Sequence, residues 1–480
     1  MEAYQEINWM KSPALRQLRT FLQQHRQVWA NRLPDLEAFE RDLHTHVQAL
    51  ERELLADELA RYDVDAEAIQ VNGVVCQQAM TASEAYLTTA GVVTAERHLY
   101  RPPGQNTRHV CPLEWQAGIV AGFFTPAAAR QAAYVVAHLP PATGAQLFEE
   151  LGGMRPSTSS LERLPKDLSA RWEVHRQEWE AHLRRWETVP PEAVTVAVAL
   201  DGVLAPMRTP TPELADAPPP DKQPKGPKGY QEVGCGAVSL YDADGERLQT
   251  VRYGRMPESG KVTLAQQLQA EAQAILAVRP TLNIVRLSDG ARHNWKLLSA
   301  LDFGLPPDQV RAWDIVDFYH ACDHLKHAAD LIWGECLPKG QAEFARWKTL
   351  LQEAEGGVEV IIRALRYRVG QARGRKREQL RRELTYFRNQ RHRMNYPVYR
   401  REHLPVASGV VEATCKTLVT QRLKQSGMRW SPAGGQAILT LRSLIQSDRW
   451  KAGWKLLRQS YQQSVVVVSA KSYFALPLAA

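Results

Sequence analysis

Nothing in the sequence reads as a route into or through a membrane. The opening MEAYQEINWMKS has no apolar h-region of the kind a secretory signal carries. The longest purely apolar runs, such as Val465–Val468, fall far short of the roughly 20 residues needed to cross a bilayer. A cytoplasmic protein with no membrane partner is expected. Cysteine is scarce: Cys76, Cys111, Cys235, Cys322, Cys336 and Cys415 are scattered without a CxxC pair. That argues for free thiols in a reducing compartment, and against a disulfide framework or a cysteine zinc site. Acids are nearly missing from one stretch. Between Arg363 and Arg401 there are fourteen Lys/Arg and two Glu, a local net charge of +12. The whole chain carries +8, so the remaining residues are mildly acidic at −4. One basic block on an acidic body is the footprint of a polyanion-binding surface. Within it, Arg375, Lys376 and Arg377 are the densest cluster of candidate phosphate contacts.

What is present is otherwise ordinary for a globular chain: 480 residues, 44% hydrophobic and 23% charged. That length allows roughly two to four domains and a large buried core. Residues from Ser12 to about Asp63 read as helices, with Leu36, Phe39, Leu43, Val47 and Leu50 on one apolar face. AYLTTAGVVTAERHLYR (85–101) reads as a hairpin turning at Ala90-Gly91. Three short helices are expected over Pro126–Leu139, Thr143–Leu151 and Ser157–Leu164, the size and spacing of a helix-turn-helix. The third offers Arg163, with Lys166 nearby, to a major groove, and Arg is the commonest reader of guanine. Packing of that helix on its neighbour is the competing reading. A further helix to Glu187 carries Trp172, Trp179 and Trp186 seven apart, a seam for a partner helix.

After Pro190-Pro191 the period changes. AVTVAVALD (193–201) is a buried-strand pattern with Asp201 at its tip. A proline- and lysine-rich loop comes next, over Leu204–Gly229. GCGAVSLYD (234–242) and ERLQTVRYGR (246–255) are two more strands, and Val262–Ala277 is a helix. NIVRLSDG (283–290) is a fourth strand ending in Asp289, and Arg292–Leu301 is a helix. RAWDIVDFYH (311–320) is a fifth strand ending near Asp317 and leading into a helix through Trp333. Strands one and four lie side by side in a ribonuclease H-like layout, which would bring Asp201 and Asp289 to one edge. A third acid must arrive from a later helix. SGVVEATCKTLVTQRLKQSGMRWS (408–431) supplies it: Val411, Cys415, Leu418, Val419 and Leu423 form an apolar face, Glu412 sits in the first turn, and Gly427 ends the helix. Taken by itself, Glu412 is equally a capping acid that favours the helix dipole. Lys416, Arg422 and Lys424 on this helix are candidate backbone contacts, and Trp430 a candidate base-stacking residue, with burial the competing role.

Three carboxylates at one sheet edge suit phosphodiester chemistry. Cleavage requires an activated oxygen nucleophile and a stabilised leaving oxygen, and two divalent ions roughly 3.5–4 Å apart provide both. Mg²⁺ takes oxygen ligands and keeps several waters, so two or three carboxylates are enough.

ALDG (199–202), LSDGARHNW (287–295), DFYHACDHL (317–325), RHRMNYPVYR (391–400) and the 408–431 segment resemble bacterial insertion-sequence transposases of the DDE class, Kra group, over about Ala85 to Trp450. The resemblance implies a DNA transposase that cleaves and joins element ends, with Asp201, Asp289 and Glu412 as its acids and two Mg²⁺ or Mn²⁺ ions as cofactors. It also implies a supporting role for Asp317 and His320, placed like the D-x-x-H pair of Mutator-like relatives. DNA, as element ends and target, is the implied partner, with a homodimer assembled on it, in a bacterial nucleoid. Relatives often carry cysteine pairs near 100–111, where this chain has Cys111 alone.

The expected fold is therefore α/β: an RNase H-like mixed-sheet core interrupted by an all-helical insertion and preceded by a mainly helical region. The expected divisions are 1–83 (helical), 84–187 (hairpin, helix-turn-helix-like module and Trp helix), 188–335 (first part of the core), 336–404 (basic helical insertion), 405–462 (the Glu412 helix and the helices after it) and 463–480 (tail). Two other readings stay open: a structure-selective nuclease of the same fold, and a DNA-binding descendant without activity.

Overall fold

The computed structural model describes residues 12–29, 33, 35–104, 109–208, 229–306 and 308–468. The chain forms two compact units, one of residues 1–174 and 451–480, the other of residues 175–450.

In the first unit, α1 (Pro13–Trp29) and α2 (Leu36–Ala60) pack as a pair. Asp35 caps α2, its carboxylate accepting from the Glu37 and Ala38 N–H groups, which satisfies donors that the first turn leaves orphaned. The apolar face expected on α2 is only partly covered, because Leu36 and Val47 are exposed. Then come β1 (Ala68–Val71), β2 (Val74–Thr88) and β3 (Gly91–Arg101). They form an antiparallel sheet ordered β3-β2-β1 and then the late strand Val466–Val468. The hairpin expected over 85–101 is thus one arm of a larger sheet. Residues 68–83, expected in a helical region, are strands whose outward side chains (Gln77, Gln78, Thr81, Ser83) blur the alternation. Beyond them lie α3 (Pro112–Ala117), α4 (Pro126–His138), α5 (Pro141–Leu151) and α6 (Thr158–Trp186). The third short helix and the Trp helix are one 29-residue helix with Pro165 inside it. The helix runs on through Pro165, which is buried, where an interior proline usually kinks or breaks a helix.

The second unit is built on a five-stranded sheet of described residues. Its strands are β4 (Thr195–Pro206), β5 (Tyr230–Tyr241), β6 (Arg247–Arg255), β7 (Asn283–Ser288) and β8 (Ala312–Val316), in the order β6-β5-β4-β7-β8. β5 pairs antiparallel with β4 and β6, while β4, β7 and β8 run parallel. This is the mixed sheet expected of a ribonuclease H-like core. Val196 to Leu200 are all buried, as a central strand covered on both faces requires. α7 (Val262–Val278) crosses from β6 to β7, and α8 (Arg292–Ser299) from β7 to β8. Residues 209–228, which hold most of the expected proline-rich loop, lie outside the described residues.

From β8 the chain enters α9 (Phe318–Trp333) and then the helices α10 (Pro338–Glu353), α11 (Gly357–Gln371), α12 (Gly374–Gln390) and α13 (Tyr396–Arg401). The last four fall within 336–404, the stretch expected as the helical insertion, and carry the basic block. They are tied to the sheet: Tyr396 Oη donates to the Val316 carbonyl at 2.9 Å. Tyr386 Oη and Gln390 Nε2 donate to the carbonyls of Asp289 and Gly290 at 3.2 and 2.8 Å.

The 408–431 segment is α14 (Gly409–Thr414), a π turn over Cys415–Thr420, and α15 (Gln421–Leu423), followed by α16 (Pro432–Gln446). Val411, Cys415, Leu418, Val419 and Leu423 are all buried, as their spacing predicts. The helix stops at Leu423, before Gly427. A π turn loosens the regular carbonyl pattern, and here Arg442 of α16 compensates. Its buried guanidinium donates to the Leu418 carbonyl at 3.0 Å and to that of Thr417.

Candidate active site

Asp201 is not at a strand tip. β4 continues to Pro206 along its antiparallel partner β5. Its parallel pairing with β7, however, ends at Ala199↔Leu287. Two residues further along each strand stand Asp201 and Asp289, so the register sets the two acids side by side where β7 leaves the sheet. The Ser288 hydroxyl joins the strands at this point, lying 2.9 Å from the Leu200 carbonyl and 3.1 Å from Asp289 Oδ1. Asp289 Oδ1 also accepts from the Ala291 N–H at 2.9 Å and from Asn294 Nδ2 at 3.4 Å. All of these donors converge on Oδ1, and among the described residues none donates to Oδ2.

Burial pushes the Asp201 carboxyl above its ordinary range, and the charge of Asp289 pushes it the same way. The Gly202 N–H, 2.7 Å from Oδ1, the Cys415 thiol, 3.7 Å from Oδ2, and the charge of Lys261 pull it back only in part. Cys415 belongs to the π turn, and Cys235 is the cross-strand partner of Asp201. Their mutual hydrogen bond, reinforced by burial, holds the Cys415 thiol far above its usual range, so it enters the site as a neutral donor. Glu412 stands one turn before Cys415 on a helix that packs against β4 and β5. Its side chain is exposed.

Asp317 is buried and caps α9, accepting from the His320 N–H at 2.5 Å. Its second oxygen accepts from the Ser408 N–H, which ties the end of β8 to the start of the Glu412 helix. The contact of His320 with Asp317 is thus through its backbone, while its ring packs near His324 and Tyr386.

Among the other expected contacts, Arg375, Lys376, Arg377, Lys416 and Lys424 are exposed. Lys376 Nζ lies 3.2 Å from the Ile332 carbonyl. Arg422 departs from expectation. It is 1% exposed, its guanidinium sits 5.3 Å from the Trp430 ring, and burial, with Arg442 beside it, lowers its pKa to about 10. It follows Leu418 by four residues and Cys415 by seven, on the helix face that those side chains bury, so it cannot meet a phosphate at the surface. Trp430 is half-buried and donates through Nε1 to the Leu423 carbonyl at 2.9 Å, a core-edge role in place of base stacking. In the first unit Arg163 and Lys166 are exposed. Arg163 lines a cavity of about 530 Å³ with Phe123, Arg171 and Tyr461.

Sequence reasoning overlooked a polar chain beside the acids. Lys261 Nζ lies 2.8 Å from Glu232 Oε1 and 3.0 Å from Asn294 Oδ1, and Asn294 reaches Asp289. The sign was the glycine after Asp201: a Cβ on Gly202 would stand 2.0 Å from Glu232 Oε1, so the absent side chain makes room for Glu232.

Hard carboxylate oxygens, a partly desolvated acid pair and an Asp289 Oδ2 to which no described residue donates suit a small divalent cation that keeps some of its waters. Among the described residues no three His, Cys, Asp or Glu side chains enclose a single ion, so the acids do not form an all-protein cage. Among the described residues, no helix is long and apolar enough to cross a membrane.

No family model matches the chain, and no curated protein matches it. Among solved structures it is similar to a chain of the Drosophila P element transposase strand transfer complex, at 11% identity and a TM-score of 0.24, over 71% of this chain and 82% of that one.

Proposed function

We propose that this chain is a metal-dependent DNA transposase of an insertion sequence, with Asp201, Asp289 and Glu412 as the acids of the phosphodiester chemistry. The observation that carries the reading is the register of β4 on β7. It sets two acids side by side where parallel pairing stops, and the helix packed on β4 and β5 carries Glu412, the acid that would be the third. Asp201 and Asp289 would hold the shared cation position and Glu412 would complete the second. Two Mg²⁺ or Mn²⁺ ions bound there supply an activated oxygen nucleophile and relief of charge on the leaving oxygen. The chain's own residues do the positioning. Ser288, Ala291 and Asn294 fix one oxygen of Asp289, Gly202 and Cys415 hold Asp201, and Asp317 anchors the start of the Glu412 helix. The basic face of α12 would carry the strand backbone through phosphate contacts, which position DNA without reading its sequence. Arg163 would read the element end.

The test uses the full chain with duplexes carrying pre-cleaved 3′-OH ends. Joined products with Mg²⁺ support a transposase, whereas hydrolysis alone makes the protein a nuclease of the same fold. Asp201→Asn, Asp289→Asn and Glu412→Gln should each abolish cleavage while leaving DNA binding in place. Near-normal cleavage by one of them at matched Mg²⁺ removes that residue from the site.

A further inference from the structure

The acid end of the sheet holds more negative charge than the three expected carboxylates, and the added one, Glu232, meets Lys261 Nζ at 2.8 Å and the His293 ring at 3.5 Å. Glu232 lies on β5 with its carboxylate over Gly202, next in sequence to Asp201. Side chains alternate along a strand, so Glu232 lies on the sheet face opposite Asp201, and Lys261 approaches from the same side as Glu232. Lys261 stands in the left-handed region at φ 51°, between Glu258 and the start of α7. A side chain other than glycine, asparagine or aspartate rarely adopts that conformation. From it the ammonium reaches Glu232 Oε1 at 2.8 Å and Asn294 Oδ1 at 3.0 Å, while Asn294 Nδ2 lies 3.4 Å from Asp289 Oδ1. The Lys261 side chain is mostly buried.

We infer that Lys261 is a resident counter-cation of the acid end: a positioning residue that neutralises Glu232 and, through Asn294, steadies Asp289 before any divalent ion arrives. This rests on the metal-dependent reading of the acids, but it makes a claim of its own about the metal-free protein. The internal ammonium and an incoming divalent ion share the field of the same carboxylates. Each therefore weakens the hold of the other, while the lysine keeps the empty site from flying apart by like-charge repulsion. The arrangement trades cation affinity for a preformed site.

The experiment has two arms, both with the full chain. In EDTA, thermal unfolding compares wild type, Lys261→Met, Lys261→Arg and the double variant Lys261→Met/Glu232→Gln. Lys261→Met should melt lower, and Lys261→Arg should recover most of the loss. Removing the Glu232 charge should restore stability to Lys261→Met, which loss of packing alone would not allow. In the second arm, Mn²⁺ binding is followed by electron paramagnetic resonance, with Asp201→Asn identifying the signal that belongs to the acids. Lys261→Met should bind Mn²⁺ more tightly, on the order of tenfold for one unit charge removed at short range. Unchanged or weaker Mn²⁺ binding by Lys261→Met, or no rescue by Glu232→Gln, overturns the inference. Wild-type Mn²⁺ binding identical to that of Asp201→Asn would overturn the metal reading instead, and the EDTA arm alone would then judge the role of Lys261.

Discussion

Gly202→Ala tests the packing of the acid end with a single methyl group. The new Cβ would stand 2.0 Å from Glu232 Oε1 and 2.7 Å from its Cγ and Cδ, closer than any real contact, so the Glu232 side chain must swing away. Doing so breaks the 2.8 Å contact with Lys261, whose side chain is 14% exposed against 39% for Glu232. A buried hydrogen bond to a charged group contributes about 1.5–3 kcal/mol and an exposed ion pair about 0.2–1. This half-covered pair falls between, at about 1–2 kcal/mol. An off-rotamer Glu232 adds roughly 0.5–1.5 kcal/mol, and replacing a strand glycine by alanine returns roughly 0.5–1. The net cost expected in the wild-type background is about 1–2 kcal/mol. In a Glu232→Ala background the obstacle is gone, and the same change should be neutral or slightly stabilising. Denaturant unfolding of the four proteins gives the coupling directly, with about 1.5–3 kcal/mol expected. Equal cost in both backgrounds, within about 0.5 kcal/mol, would refute the claim that Glu232 occupies the space over Gly202.

Replacing Arg375, Lys376 and Arg377 together with alanine should weaken binding to all duplexes alike and flatten the salt slope by about two to three units. Salt-titrated binding to two unrelated sequences checks this, and a loss confined to one sequence would mean base readout. Arg422→Met should act on the fold: unfolding should shift by about 2–4 kcal/mol, while the salt slope of DNA binding stays at its wild-type value. Glu383, buried between α9 and α12, would have its carboxyl raised by burial. His324 and His327, 2.6 and 2.8 Å away, outweigh that and hold it below its usual range. A depressed carboxyl contributes stability above the unfolded-state value of about 4.3 and loses it as pH falls through the folded one. The stability gap between wild type and Glu383→Gln should thus be full at neutral pH and close below about pH 4. A gap that persists in acid would refute the ion pairing.

Much of the core was legible because its signals are local. The apolar run through Val196–Leu200, the turn around Asp242–Glu246 and the buried face of Val411 to Leu423 each announce an element without help from distant residues. The strand order came with the recognition of β7, since parallel neighbours need a crossover helix and α7 supplies one. What stayed hidden depends on contacts far apart in sequence. Asp201 was placed at a strand end because the apolar run stops there, whereas β5 carries the strand on to Pro206. Arg422 was offered as a phosphate contact for its charge, although its spacing from Val411, Cys415 and Leu418 sets it on the face that they bury. Lys261 drew no notice because nothing local marks it. Its role arises from Glu232 on another strand and Asn294 on another helix. The strands over 68–83 escaped because their outward face is polar and their partner Val466–Val468 is nearly the whole chain away.

The two bonds from α12 to the loop after β7 have a thermodynamic corollary. Tyr386 and Gln390 hold the carbonyls of Asp289 and Gly290, and the same helix begins with Arg375, Lys376 and Arg377 on its exposed side. Whatever free energy these bonds transmit must be reciprocal. If a polyanion on α12 alters the affinity of the acids for a cation by some factor, a cation at the acids alters the affinity for the polyanion by the same factor. Cutting the tether with Tyr386→Phe and Gln390→Ala would then lower both cross-effects together, never one alone.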